Sequence, residues 1–359
     1  MSAPRFHPLR VADIRRETPD AISVAFEVPP ALEPLYRFTP GQYLTLRTTL
    51  DGEEVRRSYS ICSGPGEGEL RIAIKRVEGG SFSVWANSEV RAGDVLEAMT
   101  PTGRFGIPLA PEAARTHVGF AAGSGITPVL SIIRGVLAGE PRSRFFLFYG
   151  NRSTRDILFR EALEDLKDRH MGRFSVFHVL SGERQDIPIL NGRLDAEKAR
   201  ILLRHLVPAA EVDHAFLCGP AGMGEEVGAA LRELGLPPDR IHVERFVSEL
   251  GGRPQAPRPA PPPGEAPRCL ATLILDGKQH EVPVAEGEAV LDAALRAGLD
   301  LPYACKGGMC STCRARLLEG TAEMAQNYAL EPWEVQAGYV LTCQAHPTSD
   351  RVVIDYDHV

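Results

Sequence analysis

Leu301-Pro-Tyr-Ala-Cys-Lys-Gly-Gly-Met-Cys-Ser-Thr-Cys313 puts three cysteines on one short loop, and Cys343 follows after 29 further residues. The spacing C-x4-C-x2-C…C is that of a plant-type [2Fe–2S] site, with Cys305, Cys310, Cys313 and Cys343 as its ligands. Three thiolates on a tight loop wrap a two-iron core while the fourth closes it from afar. Gly307 and Gly308 let the backbone approach closely and aim N–H groups at the sulfurs. Zinc held by Cys310, Cys313, Cys343 and His346 is the other arrangement open to these residues. It leaves Cys305 idle and the glycines incidental. The flanks, strand-like Leu273-Ile-Leu275 and the helically spaced Val290–Leu299, suggest a small half-open sheet with a covering helix.

Immediately upstream, residues 251–267 carry seven prolines in seventeen positions, which rules out helix and inner strand. This is the core of a linker (247–268), and the seventeen residues alone span roughly 50 Å when extended at about 3.1 Å per residue. Residues 269–359 are thus a tethered module. They hold 13 acidic and 6 basic residues, which accounts for the whole net charge of −7. An acidic surface argues against nucleic acid and suits a basic docking partner. Solubility alone is the plainer reading of that charge. The start, Met-Ser-Ala-Pro-Arg-Phe-His-Pro, lacks an apolar secretory core, and no apolar run is long enough to span a bilayer. The expectation is a soluble cytoplasmic protein without membrane contact, its cysteines serving metal before disulfides.

Two textures precede the linker. Residues 1–111 show short alternating runs (Ala21–Val28, Tyr43–Leu46, Leu70–Ile74) punctuated by Pro40-Gly41, Asp51-Gly52 and Gly64-Pro-Gly66, as in an antiparallel β-barrel. Residues 112–246 alternate strands near 117–122, 145–149, 174–179 and 215–218 with helices expected over 127–138, 155–169, 194–206 and 222–234. That pattern predicts an α/β domain with a parallel sheet.

Each texture carries a motif. Arg57-Ser-Tyr-Ser60 ends a strand-like run. A guanidinium suits a pyrophosphate, and the ring of Tyr59 and the hydroxyls of Ser58 and Ser60 suit a flavin. Ile74-Lys-Arg-Val-Glu-Gly-Gly-Ser-Phe-Ser83 follows, with glycines opening a helix, a sound anion site. In the second domain, His117-Val-Gly-Phe-Ala-Ala-Gly-Ser-Gly-Ile-Thr-Pro128 runs from strand through glycine turn to helix. Pro128 is tolerated in a first helical turn. Cys218-Gly-Pro-Ala-Gly-Met223 repeats that strand–turn–helix order. At the end of the second strand stand Arg152, Ser153 and Arg155. Arginine there accommodates a 2′-phosphate, which favours NADPH; solvated helix-start residues, and so NADH, remain open.

Together these segments resemble the ferredoxin–NADP⁺ reductase family with a C-terminal plant-type ferredoxin domain. The resemblance implies a β-grasp fold for the last domain. It also implies FAD on Arg57, Ser58, Tyr59, Ser60, Ile74, Lys75, Gly80, Ser81, Phe82 and Ser83. The nicotinamide coenzyme would lie on Gly123, Ser124, Gly125, Thr127, Arg152, Ser153, Cys218, Gly219 and Met223. Ser60, Thr127 and Cys218 would stand near the hydride path, without a general acid or base. In related reductases an acidic residue and an aromatic near Glu244 and Phe246 border the flavin. Arg57–Ser63, Cys218–Met223, Cys305–Arg316, Asn327–Glu331 and Gly338–Gln344 further resemble the branch that serves phenylacetyl-CoA 1,2-epoxidases in phenylacetate catabolism. That implies the route NADPH, FAD, [2Fe–2S], then a di-iron oxygenase subunit of a multicomponent complex. A flavin must stand between a two-electron donor and a one-electron cluster. Two other readings stand beside it. One is an NADH-dependent reductase of another acceptor, such as a ring-hydroxylating dioxygenase. The other is a non-enzymatic zinc-bearing adaptor on a degenerate reductase fold.

Overall fold

The structure is a computed structural model and describes residues 5–246 and 268–357. Apart from Arg268, the expected linker lies outside the described residues. The first domain contains β1 (Phe6–Thr18), β2 (Ala21–Glu27), β3 (Tyr43–Leu50), β4 (Glu53–Ser60), β5 (Leu70–Lys75), α1 (Ser81–Ser88) and β6 (Val95–Met99). Its strands pair antiparallel in the order β4-β3-β6-β1-β2-β5. A bridge between Ile61 and Ile72 joins the two edges and closes the barrel. Alternation sorts β2 as a strand's period of two requires. Ile22, Val24 and Phe26 fill the barrel. Ala21 faces the other way and joins the core beneath the second domain.

The second domain contains β7 (Thr116–Ala122), α2 (Ile126–Gly139), β8 (Arg144–Asn151), α3 (Arg160–Arg169), β9 (Phe174–Leu180), α4 (Ala196–Leu206), β10 (His214–Gly219), α5 (Ala221–Glu233) and β11 (Ile241–Arg245). All five strands are parallel, in the order β11-β10-β7-β8-β9. The order reverses between β7 and β10, which opens a crevice at their carboxyl ends. The helix expected over 155–169 begins only at Arg160. Ile157, Leu158 and Phe159 turn into the core, and Phe159 adopts φ 58, a left-handed conformation that no helix can propagate. Burial of three large apolar groups outweighs local helix propensity there.

The last domain contains β12 (Cys269–Leu275), β13 (Lys278–Val284), α6 (Val290–Arg296), β14 (Arg314–Glu319), β15 (Ala322–Met324), α7 (Pro332–Gln336), β16 (Tyr339–Leu341), β17 (Ala345–Pro347) and β18 (Arg351–Asp355). Its sheet order is β13-β12-β18-β14-β16, with β12 parallel to β18 and β15 paired to β17 beside it. Helix α6 buries Val290, Leu291, Ala293 and Ala294 against that sheet. The barrel, the parallel sheet and the helix-covered small sheet all match the expected fold class.

Three histidines on neighbouring strands pack near the amino-terminal ends of β7, β10 and β11. His117 stacks on His214 at 5.7 Å, and Nδ1 of His214 lies 3.1 Å from Nε2 of His242. Glu140 accepts from Ser143 and the Ala110 N–H and lies 3.2 Å from His117. Burial lowers the pKa of all three rings, that of His242 to about 4. The unfolded chain therefore takes up protons first. The stabilisation is complete above the ordinary histidine pKa of 6.5 and is lost as pH falls towards 4. Denaturant unfolding across that range should show declining stability. His242→Phe, which keeps the stack on Phe216, should flatten the decline.

Candidate functional site: a crevice shared by three domains

Between α6 and β14 the chain forms an irregular loop, with Lys306 (φ 49), Gly308 (φ 74) and Ser311 (φ 50) in left-handed conformations. Such backbone is costly away from glycine and persists where the surroundings demand it. Gly308 has no room for a side chain: a Cβ there would stand 2.8 Å from the Gln326 carbonyl. The loop brings the four cysteines together in two pairs, the Cys305 thiol against Cys310 and Cys313 against Cys343. The Gly307 N–H donates to Cys305 Sγ at 3.3 Å. The Cys310 thiol and the N–H groups of Gly307, Met309 and Cys310 hold Cys305 down to about 6. Among the described residues no three His, Cys, Asp or Glu side chains converge as for a single metal ion. Two thiol pairs fit two irons with two ligands each; the three-cysteine, one-histidine zinc set does not assemble.

A cavity of about 980 Å³ opens beside this loop, lined from all three domains. Arg57, Ser58 and Ser60 on β4, Gly79 and Ser81 at the start of α1, and Cys305, Met309 and Cys310 of the loop all border it. A charged fork, hydroxyls and a helix start around one space of this volume fit a flavin nucleotide. Several residues expected to hold the flavin are not among those lining this cavity. Ile74 and Phe82 belong to the barrel core, and Tyr59 packs on Phe82 at 5.6 Å. Lys75 pairs with Asp20, while the Ser83 hydroxyl accepts the Val77 N–H. Gly80 caps α1 and is not among the lining residues. The pattern of strand and helix start placed these residues near the site but could not say which way each side chain turns.

At the crevice of the parallel sheet, Gly123, Ser124 and Gly125 form a tight turn into α2. Gly125 is obligatory: a Cβ would lie 2.1 Å from the Cys218 carbonyl. The two glycine motifs therefore meet at the strand-order reversal, where a dinucleotide fits. Thr127 is buried and donates to the Ser124 carbonyl at 2.9 Å. Gly219 leaves space for the Met223 side chain, whose Cε would stand 2.7 Å from an added Cβ. The Cys218 thiol is fully buried, which pushes its pKa well up. At the end of β8, Arg152 is exposed and Ser153 donates to Asp156 at 2.6 Å. Glu183 accepts from Thr154 N–H and Oγ1 at 2.7 and 2.8 Å. Those carboxylates escaped a reading confined to Tyr149–Arg155, since Glu183 arrives from the next strand's loop.

Glu244 joins the two halves. It pairs in register with Cys218 on β10, accepts from Ser60 Oγ at 3.3 Å, and borders the cavity. Burial pushes its pKa up to about 8. Tyr43, Arg56, Arg104 and Tyr303 also line the cavity and were not singled out by sequence. Arg56 had only its neighbour in the Arg56-Arg57 pair to suggest it.

Comparison with known proteins agrees with this geometry. Residues 8–107 match the oxidoreductase FAD-binding domain, 120–228 the oxidoreductase NAD-binding domain, and 273–348 the 2Fe-2S iron-sulfur cluster binding domain. The chain is 46% identical to one of the subunits of 1,2-phenylacetyl-CoA epoxidase from Escherichia coli (strain K12), covering 98% of each. It is 33% identical to the ferredoxin reductase component of 3-ketosteroid-9-alpha-monooxygenase from Rhodococcus rhodochrous, covering 97% of this chain and 96% of that one. Its fold is similar to that of phthalate dioxygenase reductase, with a TM-score of 0.59 and 24% identity over 98% of each chain. Fold and site thus define an NAD(P)H-dependent flavin and iron–sulfur oxidoreductase. The chain belongs to the family of oxygenase reductase components that join FAD-binding, NAD-binding and [2Fe–2S] domains.

Glu244 carries a stability cost with a definite sign. Below the ordinary glutamate pKa of 4.5 both folded and unfolded forms are protonated. Between 4.5 and about 8 only the unfolded chain ionises, and the fold loses stability. In cofactor-free protein, Glu244→Gln should raise the melting temperature at pH 8 and leave it unchanged at pH 4.5. An equal shift at both pH values would refute the raised pKa of this half-buried carboxyl.

Proposed function

We propose that this chain takes a hydride from NADPH and delivers electrons singly, through FAD and the [2Fe–2S] cluster, to a di-iron oxygenase subunit that epoxidises phenylacetyl-CoA. The observation that carries the route is the shared cavity, in which flavin-facing Arg57, Ser58 and Ser60 and cluster-bearing Cys305 and Cys310 line one space. When bound, the flavin takes electrons in pairs and releases them one at a time, which the cluster requires. The protein's part is positioning. Gly125 lets the two glycine turns approach backbone to backbone, Gly219 makes room for Met223, and the Gly123–Gly125 turn offers N–H groups to a diphosphate. Arg57 would meet the flavin pyrophosphate, and Ser60, tied to Glu244, would stand by the reacting ring. Cys305, Cys310, Cys313 and Cys343 would hold the two irons in pairs.

The 46% identity across nearly the whole chain supports the phenylacetyl-CoA epoxidase as acceptor. A cytoplasmic setting is supported by seven cysteines without a disulfide, and among the described residues no helix is long and apolar enough to cross a membrane. NADPH is supported by Arg152, exposed at the end of β8 and without an ion-pair partner among the described residues. NADH is the second reading, favoured by Asp156 and Glu183, carboxylates suited to a ribose hydroxyl.

Steady-state reduction of cytochrome c with each coenzyme separates the two. Arg152→Ala should raise the KM for NADPH by about tenfold, one lost charge-assisted contact, and leave NADH unaffected. Equal KM changes would favour the second reading. Reconstitution with the oxygenase subunit should support phenylacetyl-CoA epoxidation; failure alongside rapid cytochrome c reduction would point to another acceptor.

A further inference from the structure

The last domain rests on the barrel, and the contact is polar and one-sided. Arg5 pairs with Asp276 at 2.7 Å, Arg47 and Arg56 reach Asp300 at 3.4 and 2.8 Å, and Arg104 pairs with Glu334. In each pair the arginine belongs to the barrel and the carboxylate to the acidic domain. Arg56 is the most enclosed, its side chain only 4% exposed. Its fork meets Asp300 and the Leu301 carbonyl at 3.2 Å, and its plane covers the Tyr303 ring at 4.0 Å. Glu54 of the barrel takes its Nε at 2.8 Å. A buried guanidinium needs its donors filled, and here the cluster-bearing domain supplies much of the filling.

The second contact touches the cluster loop itself. Tyr43 is buried on β3, directly opposite Ser60 of β4. Its hydroxyl donates to the carbonyl of the ligand Cys310 and lies 2.8 Å from Thr312 Oγ1. One β-strand pair therefore carries the flavin-side hydroxyl on one strand and the cluster-loop anchor on the other.

We propose that Arg56 and Tyr43, with Asp300 and the Cys310–Thr312 loop as their respective counterparts on the acidic domain, form a clamp that docks the cluster edge on the flavin crevice in its electron-receiving position. These are positioning residues, and the proposal rests on the electron route above. The contact is reversible because each of its charges is well hydrated once exposed, and it weakens as salt screens it.

Asp300 is the residue to change, since its side chain is 65% exposed and its loss leaves the core intact. Iron content and the electron paramagnetic resonance signal of the reduced cluster should match the unaltered protein. In anaerobic stopped flow with NADPH, the flavin should bleach at the usual rate. Cluster reduction should slow about fivefold in Asp300→Asn, the effect of one hydrogen bond, and further in Asp300→Arg. Asp300→Glu should restore it. Added salt should slow the unaltered protein more than it slows Asp300→Asn. Independently of any electron transfer, amide exchange over residues 300–312 should rise in Asp300→Arg. Unchanged exchange and unchanged cluster reduction in that variant would overturn the clamp. If neither NADPH nor NADH bleaches the flavin of the unaltered protein, the electron route falls, and the exchange measurement still decides the clamp.

Discussion

β3 and β4 are joined by Asp51 and Gly52, both at positive φ (52 and 83). A two-residue turn of this kind matches the twist of a hairpin and fixes its register. Leu50 then faces Glu53, and the pairing runs without a shift to Tyr43 opposite Ser60. A slip of one residue would send every side chain of β4 to the other face. Arg56, Ser58 and Ser60 would leave the cavity, and Tyr43 would no longer stand between Ser60 and Cys310. The crevice for the flavin and the seat for the cluster loop thus depend on one turn at the far end of the hairpin.

Packing and polarity divide the remaining work. The barrel and the parallel sheet share a continuous apolar core, in which Ala21 and Ala73 of the barrel meet Ile126, Val129 and Ile133 of the sheet domain. Such an interface behaves as one body, since close-packed interiors transmit strain rather than absorb it. The last domain keeps its own core, and its contact with the barrel runs through arginines, carboxylates and two tyrosines. The dinucleotide crevice and the flavin crevice are thus joined by packing, while the cluster-bearing domain meets the barrel through charged pairs.

Periodicity and turn chemistry made the three-domain order legible. The alternating runs, the proline-rich stretch and the strand–glycine–helix repeats each have a local cause. The cysteine spacing likewise singled out Cys305, Cys310, Cys313 and Cys343, and the structure groups them two by two. Less was legible where distant packing outweighed a local signal. The helix expected from residue 155 starts at Arg160 because Ile157, Leu158 and Phe159 are drawn into the core. Ile74 and Phe82 sit in the glycine-rich flavin motif, yet their side chains fill the barrel.

What the sequence determined by itself were features whose cause lies within a few residues: a loop that wraps two irons, turns that need glycine, a third domain carrying the net charge. What only the tertiary structure decided were pairings between residues far apart in the chain. Glu244 meets Ser60, Arg56 meets Asp300, and Tyr43 meets the Cys310 loop because three folded domains present those side chains to one crevice. Sequence distance carries no record of such contacts, since each partner by itself reads as an ordinary polar residue. Burial then gives them their character: a carboxyl kept protonated, a guanidinium that needs the neighbouring domain, a tyrosine at the edge of a cluster.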